Sequence, residues 1–165
     1  MFRNIVVGLS GGVDSAVTAL LLKNKGFNII GVFMKNWDIR NEMGQCTVEK
    51  DYNDAQSICD KLKIPLVQVD FVKEYWNEVF SDLVDKYQNG YTPNPDILCN
   101  KNIKFDKFFH LARKKFQADA IAMGHYAQTS FGPYLENYKP NTSKYSILSK
   151  KINELFFNAM IMCYC

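Results

Sequence analysis

Two short stretches hold the residue types that could do chemistry. The first is Gly8-Leu9-Ser10-Gly11-Gly12-Val13-Asp14-Ser15, set between an apolar, β-branched run ending at Val7 and an alanine- and leucine-rich segment from Ala16. Read as strand, turn and helix, it is a cradle for an anion. Gly11 and Gly12 lack the Cβ atoms that would hold the backbone away from a phosphate. A helix starting near Asp14 directs its free N–H groups and positive dipole end at the same spot, and Ser10 and Ser15 add hydroxyl donors. The loop has neither the Lys of an ordinary P-loop nor the G-x-G-x-x-G of a dinucleotide fingerprint. The second stretch is Asn94-Pro95-Asp96-Ile97-Leu98-Cys99-Asn100-Lys101. A lone cysteine is more often an inert core residue, but here Lys101 and Lys104 are near and a helix N-terminus is expected just downstream, features that favour the thiolate. Asp96 could serve as an acid or base, although an N-cap or Asx-turn is the commoner role for such a residue.

The elements that must position these stretches alternate. Asn4 to Leu9 reads as a strand buried on both faces, and Ala16, Ala19, Leu20 and Lys23 follow at helical spacing up to Gly26. Asn28 to Met34 is a second strand, Asp51 to Lys63 a helix ended by Pro65, and Leu66 to Val69 a third strand. Phe71 to Asn89 carries an apolar stripe of Trp76, Val79, Phe80, Leu83, Val84 and Tyr87, a pattern that belongs to a core. Pro93 and Pro95 exclude regular structure between Tyr91 and Lys101 on this reading. A helix resumes from Ile103 to Gln117, burying Phe105, Phe108, Phe109, Ala112 and Phe116, and Ala118 to Met123 is a fourth strand ending at Gly124-His125. This alternation specifies an α/β fold, an open, mostly parallel sheet with helices on both faces. In such sheets ligands bind beyond the carboxyl ends of the strands, where the glycine loop, Met34 and Gly124 all fall.

Composition narrows the class. The length of 165 residues suits one cored domain, and a net charge of +3 is compatible with a nucleic-acid partner without requiring one. Five irregularly spaced cysteines argue against a disulfide framework and for a reducing compartment. No run approaches the ~20 apolar residues that span a bilayer, so no membrane role is expected. A first strand starting so near Met1 is expected to leave no room for an ordinary cleavable presequence.

The glycine loop resembles the PP-loop of the ATP pyrophosphatases, the adenine nucleotide alpha hydrolase-like enzymes that cleave ATP between its α- and β-phosphates and use the AMP to activate a carbonyl oxygen. Further matches are Phe33-Met-Lys-Asn-Trp-Asp38, Glu74-Tyr-Trp76, Thr92-Pro-Asn-Pro-Asp-Ile-Leu-Cys-Asn-Lys101, Ile103-Lys-Phe105 and Ala122-Met-Gly-His-Tyr126. With them, about residues 3 to 129 are similar to the tRNA-specific 2-thiouridylase family, which has bacterial (MnmA) and mitochondrial members.

The resemblance implies that ATP lies on Gly8, Leu9, Ser10, Gly11, Gly12, Val13, Asp14 and Ser15, with Met34 and Gly124 at its adenine end. It implies that Asn94, Pro95 and Asp96 meet the target base and that Cys99 is a nucleophile. In the implied reaction the C2 oxygen of the wobble uridine is adenylated with loss of pyrophosphate, with Mg²⁺ held near Asp14. Sulfur then arrives as a persulfide on a second cysteine, from a donor or relay protein, and displaces AMP while Cys99 resolves the bond as a disulfide. The unpaired anticodon loop of tRNA presents the uridine at low cost. Lys101, Lys104, Lys107, Arg113, Lys114 and Lys115 are candidates to hold phosphates, though such a face is often merely solvated.

The family pattern is expected to stop near Thr129. Residues 1–129 then form the PP-loop domain and 130–165 an atypical tail, with none of Cys46, Cys59, Cys163 and Cys165 matching the persulfide cysteine. The address implied is a mitochondrion, with bacterial cytoplasm as the alternative. A non-catalytic ATP- or tRNA-binding fragment is the rival reading. Another PP-loop enzyme, such as an amide-forming synthetase, is disfavoured by Asn94 to Lys101.

Overall fold

The computed structural model describes residues 3–38, 47–124, 146–149 and 160–163. Its elements run β1 (Asn4–Gly8), α1 (Val13–Asn24), β2 (Asn28–Lys35), α2 (Thr47–Leu62) and β3 (Leu66–Asp70). A helical segment follows, made of α3 (Val72–Tyr75), a π-helical stretch Trp76–Phe80 and α4 (Ser81–Gln88). A second comprises α5 (Pro95–Leu98), a π-helical stretch Cys99–Lys107 and α6 (Phe108–Phe116). The strands β4 (Ala120–Met123), β5 (Ser146–Ser149) and β6 (Met160–Cys163) complete the described chain.

The sheet order is β3-β2-β1-β4-β6-β5. The first four strands are parallel, and β6 and β5 add antiparallel at the β4 edge. Residue alternation along each buried strand sorts the side chains between two cores. Ile5, Val7, Leu9, Ile29, Phe33, Ala120 and Ala122 join Ala19 and Leu22 of α1 and Ala55 and Cys59 of α2 on one face. Val6, Val32, Val69, Ile121 and Met123 join Tyr75, Val79, Cys99, Ile103, Phe108, Phe109 and Ala112 of the two later helical segments on the other. Both faces are therefore covered by helices, as a parallel sheet requires. The Asp119 carboxylate ties the starts of β1 and β4 together by accepting the Arg3 and Asn4 amides at 2.9 and 3.0 Å. Those bonds hold its carboxyl below the usual range.

Two sequence expectations change. The apolar stripe after Phe71 does not stay buried to its end: Val84 and Tyr87 are exposed, so only Tyr75, Val79 and half-buried Trp76, Phe80 and Leu83 face the core. More consequentially, the chain is helical from Pro95 through Lys101, with Asn94 as N-cap. Pro95 occupies the first helical position, where its missing N–H and fixed φ cost nothing, and Pro93 lies outside the helix. The Asn94 side chain caps the turn by accepting the Asp96 N–H at 2.9 Å. The helix N-terminus is consequently upstream of Cys99 rather than downstream. The expectations for His125, Tyr126, Cys46, Cys165 and residues 130–145 lie outside the described residues. Among the described residues no helix is long and apolar enough to cross a membrane.

Candidate active site

β1 leads through α1 to β2 on one side, while β4 lies on the other side of β1, so the strand order reverses between β1 and β4. Ligands of open α/β sheets bind at such a switch point, outside the carboxyl ends of the strands. The glycine loop leaves β1 there. Gly8, paired with Met123 of β4, lies under two methionines: a Cβ on it would come 3.0 Å from Met123 Cε and 3.3 Å from Met34 Cε. Met34 is thus beside the start of the loop.

Gly11 has φ +81° and backs onto α2, where a Cβ would meet the Asp51 carbonyl oxygen at 2.7 Å. Gly12 is the N-cap of α1 and makes no side-chain capping bond. The first intrahelical bond is Ala16 N–H to Gly12 O, at 3.2 Å. Helix geometry therefore leaves the N–H groups of Val13, Asp14 and Ser15 without intrahelical acceptors, at a spot where Gly12, Val13 and Asp14 are exposed. This is an anion cradle that fits phosphate oxygens. Gly124 closes its far wall, because a Cβ there would lie 2.5 Å from the Asp14 carbonyl carbon and 2.8 Å from Ser15 Cα.

Two of the expected contact residues act through the loop's shape. Leu9 is 1% exposed and belongs to the core, its N–H already given to Val32 O at 2.8 Å. Ser15 is 4% exposed, and its hydroxyl donates to Gly12 O at 2.9 Å and accepts Ser10 N–H at 3.3 Å. It braces the loop and is not the free donor expected from sequence. Ser10 remains exposed, with its Oγ accepting Gly12 N–H at 3.4 Å. Asp14 is exposed at the helix start. Among the described residues no group of three or more His, Cys, Asp or Glu is arranged to hold a metal ion.

Cys99 sits one turn into the second helical segment, 5% exposed, in the same buried cluster as Met123, Phe71 and Tyr75. Its environment opposes the expected thiolate. Burial pushes the thiol up, the Lys104 ammonium pulls it down, and the Asp96 carboxylate pushes it up again. Lys104 thus acts as the sequence suggested, but desolvation outweighs it. Tyr75 is pushed up to about 12 by burial and by the neighbouring Cys99 and Asp96 charges. Asn94, Asp96 and Lys101 are exposed and Pro95 and Lys104 half-buried, leaving the start of this helix open to a ligand. Lys107 is bonded to Glu78 at 2.9 Å and is already engaged. Lys114 and Lys115 lie roughly 20 Å further along the helix, at the opposite edge of the sheet, away from this site. Sequence reasoning gave no role to Asn36, Trp37 or Tyr75, which stand at the same edge. The signal was present in the matched Phe33-to-Asp38 and Glu74-to-Trp76 segments.

The family described as tRNA methyl transferase HUP domain matches residues 3–156. The mitochondrial tRNA-specific 2-thiouridylase 1 of Gallus gallus is 54% identical over 94% of this chain and 35% of its own length. The tRNA-specific 2-thiouridylase MnmA of Mesomycoplasma hyopneumoniae is 58% identical over 78% of this chain and 37% of its own. The chain thus spans about a third of the length of these relatives. Among solved structures, the U34-tRNA thiolase NcsA from Methanococcus maripaludis is similar with TM-score 0.51 and 25% identity, over 74% of this chain and 38% of that one. The parallel sheet, the uncapped glycine loop at its switch point and the match over residues 3–156 agree: the chain belongs to the tRNA methyl transferase HUP domain family.

Proposed function

We propose that this chain is the nucleotide-binding and uridine-presenting part of an ATP-dependent tRNA 2-thiouridylase. The observation that carries the reading is convergence: Met123 at the end of β4 both covers Gly8 at the start of the open glycine loop and shares a buried cluster with Cys99 of the capped helix. The names of the relatives, tRNA-specific 2-thiouridylases, supply the substrate class.

In this reading the backbone N–H groups of Val13, Asp14 and Ser15 hold the phosphates of ATP, and Met34 and Gly124 bound its adenine end. Asp14 is the residue that would hold Mg²⁺ here, and the cation would offset the negative charge of the phosphates. ATP, when bound, supplies the adenylyl group that turns the uridine C2 oxygen into a leaving group. Asn94 and Pro95 meet the target uridine in the anticodon loop, and Lys101 and Lys104 hold its flanking phosphates. Lys104 favours the Cys99 thiolate, and Asp96 is the carboxylate beside it suited to taking and returning a proton. The sulfur comes from a persulfide donor or relay protein. The address is mitochondrial, by likeness to the mitochondrial relatives, with bacterial cytoplasm as the alternative.

The burial of Cys99 favours a second reading, in which the chain binds ATP and tRNA without transferring sulfur. Mass spectrometry of tRNA incubated with the purified chain, ATP, Mg²⁺ and a persulfide donor separates the two. Thiolated uridine lost in Cys99→Ser is the expected result. Thiolation that survives Cys99→Ser removes Cys99 from the mechanism, and ATP and tRNA binding without thiolation leaves the second reading.

A further inference from the structure

The carboxyl edge of the sheet holds a buried polar atom that the proposed function does not use. Oδ1 of Asn36 is shielded from solvent and accepts no hydrogen bond from any of the described residues. Leaving such a group unpaired is costly, so its retention calls for an explanation. Asn36 stands one residue beyond the end of β2, two residues after Met34, which covers Gly8. On its other side Trp37 is half-buried, its ring 4.3 Å from that of Tyr75 and 5.9 Å from that of Phe80. Tyr75 belongs to the same buried cluster as Cys99. The orphan amide therefore follows Met34, which covers the start of the glycine loop, and precedes half-buried Trp37, which packs on Tyr75 of the Cys99 cluster.

We propose that Asn36 reads the imide edge of the target uracil, its Oδ1 accepting the uracil N3–H while Trp37 offers the base an aromatic face. The inference rests on the thiouridylase reading and adds to it a specificity-determining residue. An unpaired acceptor selects an N–H donor, and at the N3 position only an imide provides one. Uracil carries one at N3, between two carbonyl oxygens that an amide N–H can meet, whereas cytosine carries a lone pair at N3. Stacking on a partly exposed aromatic is the usual way a protein holds a base taken out of its strand. Adenine also offers an N–H, but Trp37 packs toward Tyr75 and the Cys99 cluster, on the side away from α1.

The test is fluorescence anisotropy of the full chain with labelled anticodon stem–loops carrying uridine, N3-methyluridine or cytidine at the target position, alongside calorimetric ATP binding. The wild-type chain should bind the uridine RNA about tenfold more tightly than the other two. Asn36→Ala should bind all three alike, with ATP affinity within about twofold of wild type. Discrimination that persists in Asn36→Ala overturns the inference while leaving RNA binding intact. Loss of ATP affinity with unchanged RNA discrimination assigns the amide to adenine and overturns it as well. A wild-type chain that binds ATP but none of the RNAs overturns the thiouridylase reading itself. Should Asn36→Ala fail to fold, by circular dichroism, the wild-type comparison of uridine with N3-methyluridine decides: equal affinities refute the assignment.

Discussion

Gly124 packs on Asp14 so closely that a Cβ would lie 2.5 Å from the Asp14 carbonyl carbon. Both partners are backbone, so no side chain can swing away to make room. The carboxyl end of β4 and the first turn of α1 are thereby locked together, and the open N–H groups are held at one wall of the switch point.

Gly124→Ala should therefore force β4 and α1 apart, destabilising the fold by about 1–3 kcal/mol and weakening ATP at least tenfold. Calorimetric titration and thermal melting read the two effects. An alanine variant with wild-type ATP affinity refutes the claim that this contact shapes the nucleotide site.

Gly11 and Gly12 should behave differently. Gly11 combines φ +81° with the Asp51 carbonyl oxygen 2.7 Å from a would-be Cβ, whereas a Cβ on Gly12 meets only Ser10 Oγ, at 3.4 Å. Gly11→Ala should cost stability by about 1–3 kcal/mol. Gly12→Ala should leave the melting temperature nearly unchanged yet lower ATP affinity, because its methyl group intrudes where phosphates approach. Equal losses of stability in both would show that the difference in space is immaterial.

Asn94→Ala removes the side-chain cap on the Asp96 N–H, a bond of 2.9 Å. Loss of such a cap costs about 0.5–2 kcal/mol. Hydrogen exchange should accelerate first in residues 95–99, the turn that carries Cys99, and Asn94→Asp should restore protection. Unchanged exchange after Asn94→Ala would mean that packing alone holds the turn.

The Cys99 thiol holds its proton more tightly in the fold than in the unfolded chain, because burial disfavours the thiolate. Its contribution to stability is present below the ordinary thiol value of 9.0 and is lost as pH rises through the folded value. Alkylation of the Cys99 peptide, followed by mass spectrometry, should still be rising with pH above pH 9. Lys104→Ala should move that profile to higher pH and Asp96→Asn to lower pH. Cys59, pushed up to about 11 by burial and by Asp60, provides a comparison within the same digest, since neither substitution should move it.

The sequence alone determined the alternation of strands and helices, the glycine loop and the place of Met34 and Gly124 at the strand ends, because these follow from periods and residue types that act locally. Helix covering both sheet faces follows from the continuous apolar runs of the strands. The misread segment, Asn94 to Lys101, shows where local rules fall short: two prolines look like a break until one is seen to start a helix and Asn94 to cap it. Only the tertiary structure decided the state of Cys99. Nearby lysines in sequence argue for a thiolate, but burial among Tyr75, Met123 and Phe71 removes the water a thiolate needs, and desolvation depends on residues far apart in the chain. The same holds for Gly124 against Asp14 and for the orphaned oxygen of Asn36, which exist only once β2, β4 and α1 are assembled.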